Sequence, residues 1–231
     1  MKLILDNIQK RFKEQEVLKG ATAEFENGQI YGLLGRNGAG KTTLFSIIYK
    51  ELKAEQGTVK LEENGEIKEL DPKETGMVFA ETNLPDFLTG YEYIKFIIDI
   101  TDPYDIRNID LYFEQMDLDK DDRHKLIKNY SSGMKAKLSL LTIYIQKPKV
   151  ILLDEPLTAV DVVSGAEIKR FFRQLKDNHI VIISTHMLDL AKDMCDEIVL
   201  LHNGKLNQLK NLEKNENYEE IIIEALRSEN D

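Results

Sequence analysis

The segment Gly35-Arg36-Asn37-Gly38-Ala39-Gly40-Lys41-Thr42 constrains this chain more than any other. It matches G-x-x-x-x-G-K-[ST] in full. Before it, Gln29–Leu34 reads as a short buried strand, and after it the apolar spacing of Thr42–Leu52 predicts a helix. Strand, glycine-rich turn and helix in that order form a cradle for phosphate. Gly35, Gly38 and Gly40 let the backbone turn successive N–H groups inward. The helix N-terminus adds partial positive charge. Lys41 places an ammonium at the β- and γ-phosphates, Thr42 offers a hydroxyl to Mg²⁺, and Thr43 can bond another phosphate oxygen. With Arg36, Asn37 and Ala39 completing the loop, the segment predicts binding of a nucleoside triphosphate.

A second pattern lies far along the chain, where Val150–Glu155 reads VILLDE before Pro156. Four aliphatic residues deliver two carboxylates to the carboxyl end of a strand, where open α/β sheets bind ligands. Asp154 suits a Mg²⁺ position, and Glu155 is placed to orient or deprotonate an attacking water. Pro156 ends the strand because it has no N–H to donate.

The remaining pattern is α/β. Leu3–Ile8 and Val17–Phe25 read as extended stretches separated by the polar KRFKEQE, and Gly57–Leu61 with Glu66–Leu70 as a hairpin around Asn64-Gly65. Ile180–Ser184 and Val150–Leu153 are the aliphatic runs of parallel strands buried on both faces. Val163–Asp177 and Met187–Cys195 read as helices between them, and Glu197–Leu201 as a strand closed by Asn203-Gly204. The tail beyond Lys205 is polar, with a short helix at Glu219–Leu226. Residues 82–122 carry eleven acidic and three basic side chains. Tyr93, Phe96, Ile97, Ile100, Ile109, Phe113 and Met116 recur there at helical spacing, which predicts an inserted helical lobe with a solvated acidic face.

Composition limits the function classes. The 231 residues, 42% hydrophobic and 31% charged, suit one large domain or a domain with an inserted lobe. The longest aliphatic run is four residues, against about 20 for a membrane span. The N-terminus turns polar after five residues, so the expectation is a cytoplasmic protein without a signal peptide. A net charge of −10 argues against nucleic acid as the main ligand. The lone Cys195 rules out an intrachain disulfide and reads as a small buried apolar residue.

From about Leu3 to Gly204 the chain resembles an ABC-transporter ATPase, the nucleotide-binding subunit. The family's L-S-G-G-Q signature corresponds to Tyr130-Ser131-Ser132-Gly133-Met134, where Ser131 and Gly133 match. This variant is similar to those of bacterial drug, lantibiotic and antibiotic exporters. Thr158-Ala159-Val160-Asp161 resembles the loop whose Asp contacts the partner subunit, and Ser184-Thr185-His186 the switch region, with His186 the γ-phosphate sensor. Phe12 stands where the family stacks an aromatic on adenine, and Val17 beside it. Glu81 takes the place of the usual Gln that ligates Mg²⁺, and a carboxylate lacks the amide's donor.

The resemblance implies a P-loop NTPase core with a mostly parallel sheet, an N-terminal antiparallel β subdomain and an inserted α-helical lobe. The ATP-binding core would span 1–80 and 123–204, the lobe would begin at 81–122 and continue to about 145, and 205–231 would form a C-terminal tail, all within a single domain over 1–231. It also implies ATP and Mg²⁺ as ligands and a two-subunit sandwich. Each ATP would lie between the phosphate loop of one subunit and Ser131–Gly133 of the other, with Glu155 supporting hydrolysis. One chain carries both halves, so a homodimer completes two sites, and a heterodimer stays open. The partners implied are a second ATPase subunit and an integral membrane permease subunit on the cytoplasmic face of the membrane, docked on the lobe at Leu84, Phe87 and Leu88. The competing class is a soluble family member acting on ribosomes or nucleic acid, and a third is a non-hydrolysing scaffold.

Overall fold

Strand pairing at the start of the chain runs through residues that carry almost no apolar signal. A computed structural model describes residues 1–80, 83–102, 108–210 and 212–227. In it β1 (Lys2–Phe12) and β2 (Gln15–Glu26) pair antiparallel all the way to Phe12 opposite Gln15. The polar KRFKEQE therefore does not separate two strands. It forms the outer end of one hairpin, turned at Lys13 with φ 54° and tied by an Arg11–Glu16 ion pair of 2.5 Å. A hairpin tip wet on both faces needs only its backbone ladder, so it shows no alternation.

Next come β3 (Ile30–Leu34), the phosphate loop, and α1 (Lys41–Ile48). The helix stops short of Leu52 because the chain leaves it at Tyr49 and Lys50 takes φ 64°. The hairpin β4 (Gln56–Glu63) and β5 (Glu66–Glu69) turns at Asn64-Gly65 as expected, both residues in the left-handed region that this tight turn requires. β6 (Thr75–Val78) follows.

Beyond β6 the described residues form α2 (Gly90–Thr101), α3 (Ile109–Gln115) and α4 (Ser132–Gln146). The alternation then resumes with β7 (Val150–Asp154), α5 (Val162–Leu175), β8 (Ile180–Thr185), α6 (Leu188–Met194) and β9 (Glu197–His202). β10 (Lys205–Leu209) and α7 (Tyr218–Arg227) end it. β10 falls where a polar tail was expected. Asn203 and Gly204, at φ 48° and 75°, turn the chain so that β10 pairs antiparallel with β9 as an edge strand.

The fold is α/β with two sheets. One has the order β2-β1-β4-β5, paired antiparallel throughout. The other has the order β10-β9-β3-β8-β7-β6, parallel from β9 to β7. In β3, β7 and β8 every residue is buried, which is why Val150–Leu153 and Ile180–Ile183 read as unbroken aliphatic runs and β3 as a short buried strand.

The chain divides into two compact units. The first is Met1–Met77, Lys149–Glu155 and Lys176–Asp231, and the second Val78–Pro148 with Pro156–Leu175. The first unit's core joins the inner face of the antiparallel sheet (Leu3, Leu5, Phe25, Leu61) to α1 (Phe45, Ile48) and the strands (Leu33, Leu152, Ile182, Leu201). Cys195 is buried there, and burial pushes its thiol up to about 12, so it is an apolar filler and not a nucleophile.

The second unit is helical. Thr89 and Glu92 form a reciprocal capping box at the start of α2. The buried face of α2 is Ile94, Ile97 and Ile98, whereas Phe96 and Ile100 are exposed, so the stripe is rotated from the expected one. Both sets fit helical spacing, and only the neighbouring helices decide between them. α4 and α5 pack with Tyr144 against Phe171 and with Lys137 bonded to Glu167 at 2.5 Å. Among the described residues, no helix is long and apolar enough to cross a membrane.

Candidate active site

The phosphate loop leaves β3 at Gly35 and enters α1 at Lys41. Gly38 and Gly40 have φ 80° and 106°, conformations an L side chain rarely adopts. At Gly40 a Cβ would also lie 2.7 Å from Val17 Cγ1, so the loop needs glycine twice over there. The loop is braced by Ala39 N–H donating to Arg36 O at 3.0 Å. Lys41 is buried, and its ammonium donates to Gly35 O at 2.9 Å, which holds the charge over the loop. No side chain caps α1, so its first-turn N–H groups could serve a ligand's oxygens.

Asp154 closes β7, and the parallel register sets its carbonyl end beside Ser184 of β8. Its Oδ2 accepts from Thr42 Oγ1 at 2.9 Å, which brings two of the three expected metal ligands together from positions 112 residues apart. Its Oδ1 accepts a short bond from Ser184 Oγ. Ser184 also binds the next residue, since Glu155 N–H points to Ser184 O at 3.1 Å and to Ser184 Oγ at 3.3 Å. Glu155 needs that support. Its φ of 48° is a left-handed backbone, which costs a β-carbon residue about 1 kcal/mol or more. The turn aims its carboxylate at His186, with Oε1 3.0 Å from Nδ1. Ser184 was read from the sequence only as part of the switch segment. Its role as a brace for both carboxylate residues depends on strand register, which no local pattern shows.

These residues fit the ligands the motif implies. Thr42 and Asp154 offer hard oxygen donors of the kind Mg²⁺ takes. Bound Mg²⁺ would neutralise charge on the phosphates. Gly35 to Thr43, with Lys41, would hold the phosphate chain. Glu155 would accept a proton from, or orient, a water at the terminal phosphate, and His186 would fix the Glu155 carboxylate while presenting its other ring nitrogen outward. A cleft of about 390 Å³ opens beside the loop. Val17, Arg36, Asn37, Gly38 and Ala39 line it, together with Lys19, His202 and Asn203, which were not among the expected site residues. Phe12 lies at the hairpin end with 46% of its surface exposed and Lys10 Nζ 5.4 Å from its ring centre, and it is not among the residues lining the cleft. Glu81 lies outside the described residues.

The second unit holds the other expected residues. Ser131 is the N-cap of α4, its Oγ accepting from Met134 N–H at 3.2 Å, which leaves the hydroxyl proton free to donate. Gly133 lies so close to the start of α5 that a Cβ would stand 3.0 Å from Asp161 Oδ2. Ser132 Oγ donates to Ala159 O at 2.5 Å. Asp161 caps α5, accepting from Val163 N–H and Ser164 N–H at 3.0 Å each, and the Ser164 bonds hold its carboxyl below the usual range. The signature residues and the loop to Asp161 are thus one packed cluster within this unit.

A phosphate loop, a threonine–aspartate pair and a glutamate–histidine pair at the ends of parallel strands define a P-loop ATPase. The family model described as ABC transporter matches residues 18–158, and the chain belongs to that family. It is 30% identical, over 94% of its length and 73% of the relative's, to the bacitracin transport ATP-binding protein BcrA of Enterococcus faecalis. It is 31% identical, over 90% of its length and 91% of the relative's, to a Chlorella vulgaris protein named as a probable sulfate/thiosulfate import ATP-binding protein, CysA. A solved structure of the ATP-binding cassette MJ0796, a dimer in a post-hydrolysis state bound to ADP and Pi, shares the fold. Its TM-score is 0.77 at 21% identity, over 90% of this chain and 99% of that one. The chain is accordingly the ATP-binding and ATP-hydrolysing subunit of an ABC transporter, using ATP with Mg²⁺.

Proposed function

We propose that the chain works as a homodimer beneath an integral membrane permease subunit, on the cytoplasmic face of the membrane, and drives export. Each ATP lies between the phosphate loop of one copy and Ser131–Gly133 of the other. Lys41, Thr42 and Thr43 hold the phosphates, Thr42 and Asp154 hold Mg²⁺, Glu155 prepares the water, and His186 senses the γ-phosphate. Asp161 faces the partner copy, Val17 in the cleft receives the base, and the exposed Phe12 at the hairpin end, outside the cleft lining, stacks on it. Binding closes the pair, and hydrolysis opens it.

The observation that carries this reading is that one chain presents two complementary half-sites. The first is the Thr42–Asp154 and Glu155–His186 pairs at 2.9 and 3.0 Å, and the second the capped, unshielded Ser131. The permease contact is assigned to the lobe because Phe87 stands there with 79% of its surface exposed, between the partly exposed Leu84 and Leu88. Export is favoured by the signature variant, which is similar to those of bacterial exporters.

The test is to isolate the tagged chain from gently solubilised membranes of its host and identify what accompanies it. One polytopic membrane protein in stoichiometric amount is expected, and it is lost on Phe87→Asp. Ribosomal proteins in its place, with the chain absent from membranes, would contradict the transporter assembly while leaving the ATPase chemistry intact.

A further inference from the structure

The residue before Ser131 departs from the family pattern, with a tyrosine where leucine is usual. Tyr130 is 6% exposed, and its hydroxyl donates to Asp122 O at 2.8 Å. The same carbonyl accepts Lys125 N–H at 3.0 Å, so the phenol is anchored on a turn that is itself closed. The same hydroxyl end of the ring meets Gly90, the first residue of α2. A Cβ on Gly90 would lie 2.9 Å from Tyr130 Cζ and closer still to the hydroxyl, so residue 90 has no room for a side chain. Backbone bonds tie the same two segments together. Tyr91 N–H donates to Arg123 O at 2.8 Å, Ile127 N–H to Leu88 O at 2.9 Å, and Thr89 and Leu126 form an antiparallel bridge. From Ile127 a single 3₁₀ turn, Ile127–Asn129, leads to Tyr130, whose N–H returns to Ile127 O at 3.0 Å. Ser131 is the next residue.

We propose that Tyr130 is a positioning residue for the signature: its ring, wedged against Gly90 and bonded to the Asp122 carbonyl, sets where Ser131 and Gly133 stand when ATP is bound. Leucine would fill the space but could not make the bond. Burial raises the phenol to about 12, so the hydroxyl keeps its proton to donate at physiological pH. The wedge adds a side-chain tie between 88–91 and 122–130 to these backbone bonds. The proposal rests on the reading that Ser131 contacts ATP across a closed dimer.

The experiment uses the full chain with Glu155→Gln, which holds ATP, and measures ATP-driven dimerisation by sedimentation and ATP binding to the monomer by fluorescence titration. Tyr130→Phe keeps the ring and removes one bond. It should leave ATP binding by the monomer within about twofold and weaken ATP-driven dimerisation about tenfold, the size of one lost buried hydrogen bond. Gly90→Ala, which displaces the ring with the hydroxyl intact, should act in the same direction. In a Ser131→Ala background Tyr130→Phe should add less than about twofold, because it acts through Ser131. Unchanged dimerisation in Tyr130→Phe, or the same loss with and without Ser131, would overturn the proposal. Unchanged dimerisation in Ser131→Ala alone would instead overturn the signature reading beneath it.

Discussion

In the first unit the chemical groups stand at the ends of strands buried on both faces, Asp154 on β7, Ser184 and Thr185 on β8, with Glu155 and His186 directly after them. In the second unit Ser131 and Asp161 stand at helix N-termini, held by their own capping bonds and by packing of α4 on α5. A strand end is placed by a ladder that spans the sheet, and its side chains bond to one another, so each residue type there is tied to its neighbours' chemistry. A helix end is placed locally. The cap needs only a small oxygen-bearing residue, and the flanking positions need only volume. That difference accounts for an acidic strand end that keeps both carboxylates beside a signature that keeps two residues of five, while the phosphate loop, itself at a helix N-terminus, keeps its pattern because backbone phosphate binding demands glycine at set places.

Substitutions can break this contrast, beginning where the effect is largest. Lys41→Ala removes the buried ammonium braced on Gly35 and should weaken ATP binding about a hundredfold in a titration. Affinity within a few-fold of the parent would mean that the loop does not hold the phosphates. Ser184→Ala releases Asp154 and relaxes the left-handed Glu155, and should lower turnover about thirtyfold with ATP affinity less affected. Equal losses in binding and turnover would place Ser184 in ligand contact and not in bracing. Ser131→Ala should cost about 1 kcal/mol of unfolding free energy as a lost cap, and about tenfold in turnover. A stability loss without a turnover loss would reduce Ser131 to a cap.

The smallest effect concerns pH and stays within the first unit. Glu74 receives bonds from Lys68 at 2.7 Å and from Lys149 at 3.0 Å. Burial opposes its ionisation, but hydrogen bonds from Lys68, Lys149 and the Asp71 backbone outweigh burial and bring its pKa from 4.5 to about 2. A carboxylate lowered on folding stabilises the native state above its unfolded value and loses that contribution as pH falls through the folded one. Stability attributable to Glu74 should therefore be full above about pH 4.5 and vanish towards pH 2. Urea midpoints of Glu74→Gln should fall less steeply across that window than those of the parent, and parallel curves would mean that the pair of lysines does not stabilise the carboxylate.

Much of this was legible in the sequence, for reasons that differ by residue. The buried strands β7 and β8 announced themselves because parallel strands covered on both faces are aliphatic along most of their length, and β3 because its buried run leads straight into the glycine loop. The loop at Gly35–Thr42 was legible because backbone phosphate binding demands glycine at set places. β10 was not, since an edge strand of sequence KLNQL sets only Leu206 against the core and otherwise has its backbone alone to pair. The far end of the β1–β2 hairpin escaped for the same reason. The stripe of α2 was misplaced because isoleucines and aromatics surround that helix, and the neighbour that chooses a face is tertiary. Ser184 was invisible as a brace because its partner Asp154 is thirty residues away and meets it only through strand register.

The central claim is that Glu155, held at the end of β7 and directed to His186, works the hydrolytic step of a site completed by a second copy of the chain. The direct measurement is Glu155→Gln, followed in parallel for ATP turnover and for molecular mass with Mg²⁺ and ATP present. The account predicts turnover lower by about a hundredfold or more, and a stable dimer retaining two ATP molecules. Full turnover, or a chain that stays monomeric with ATP bound, would contradict it.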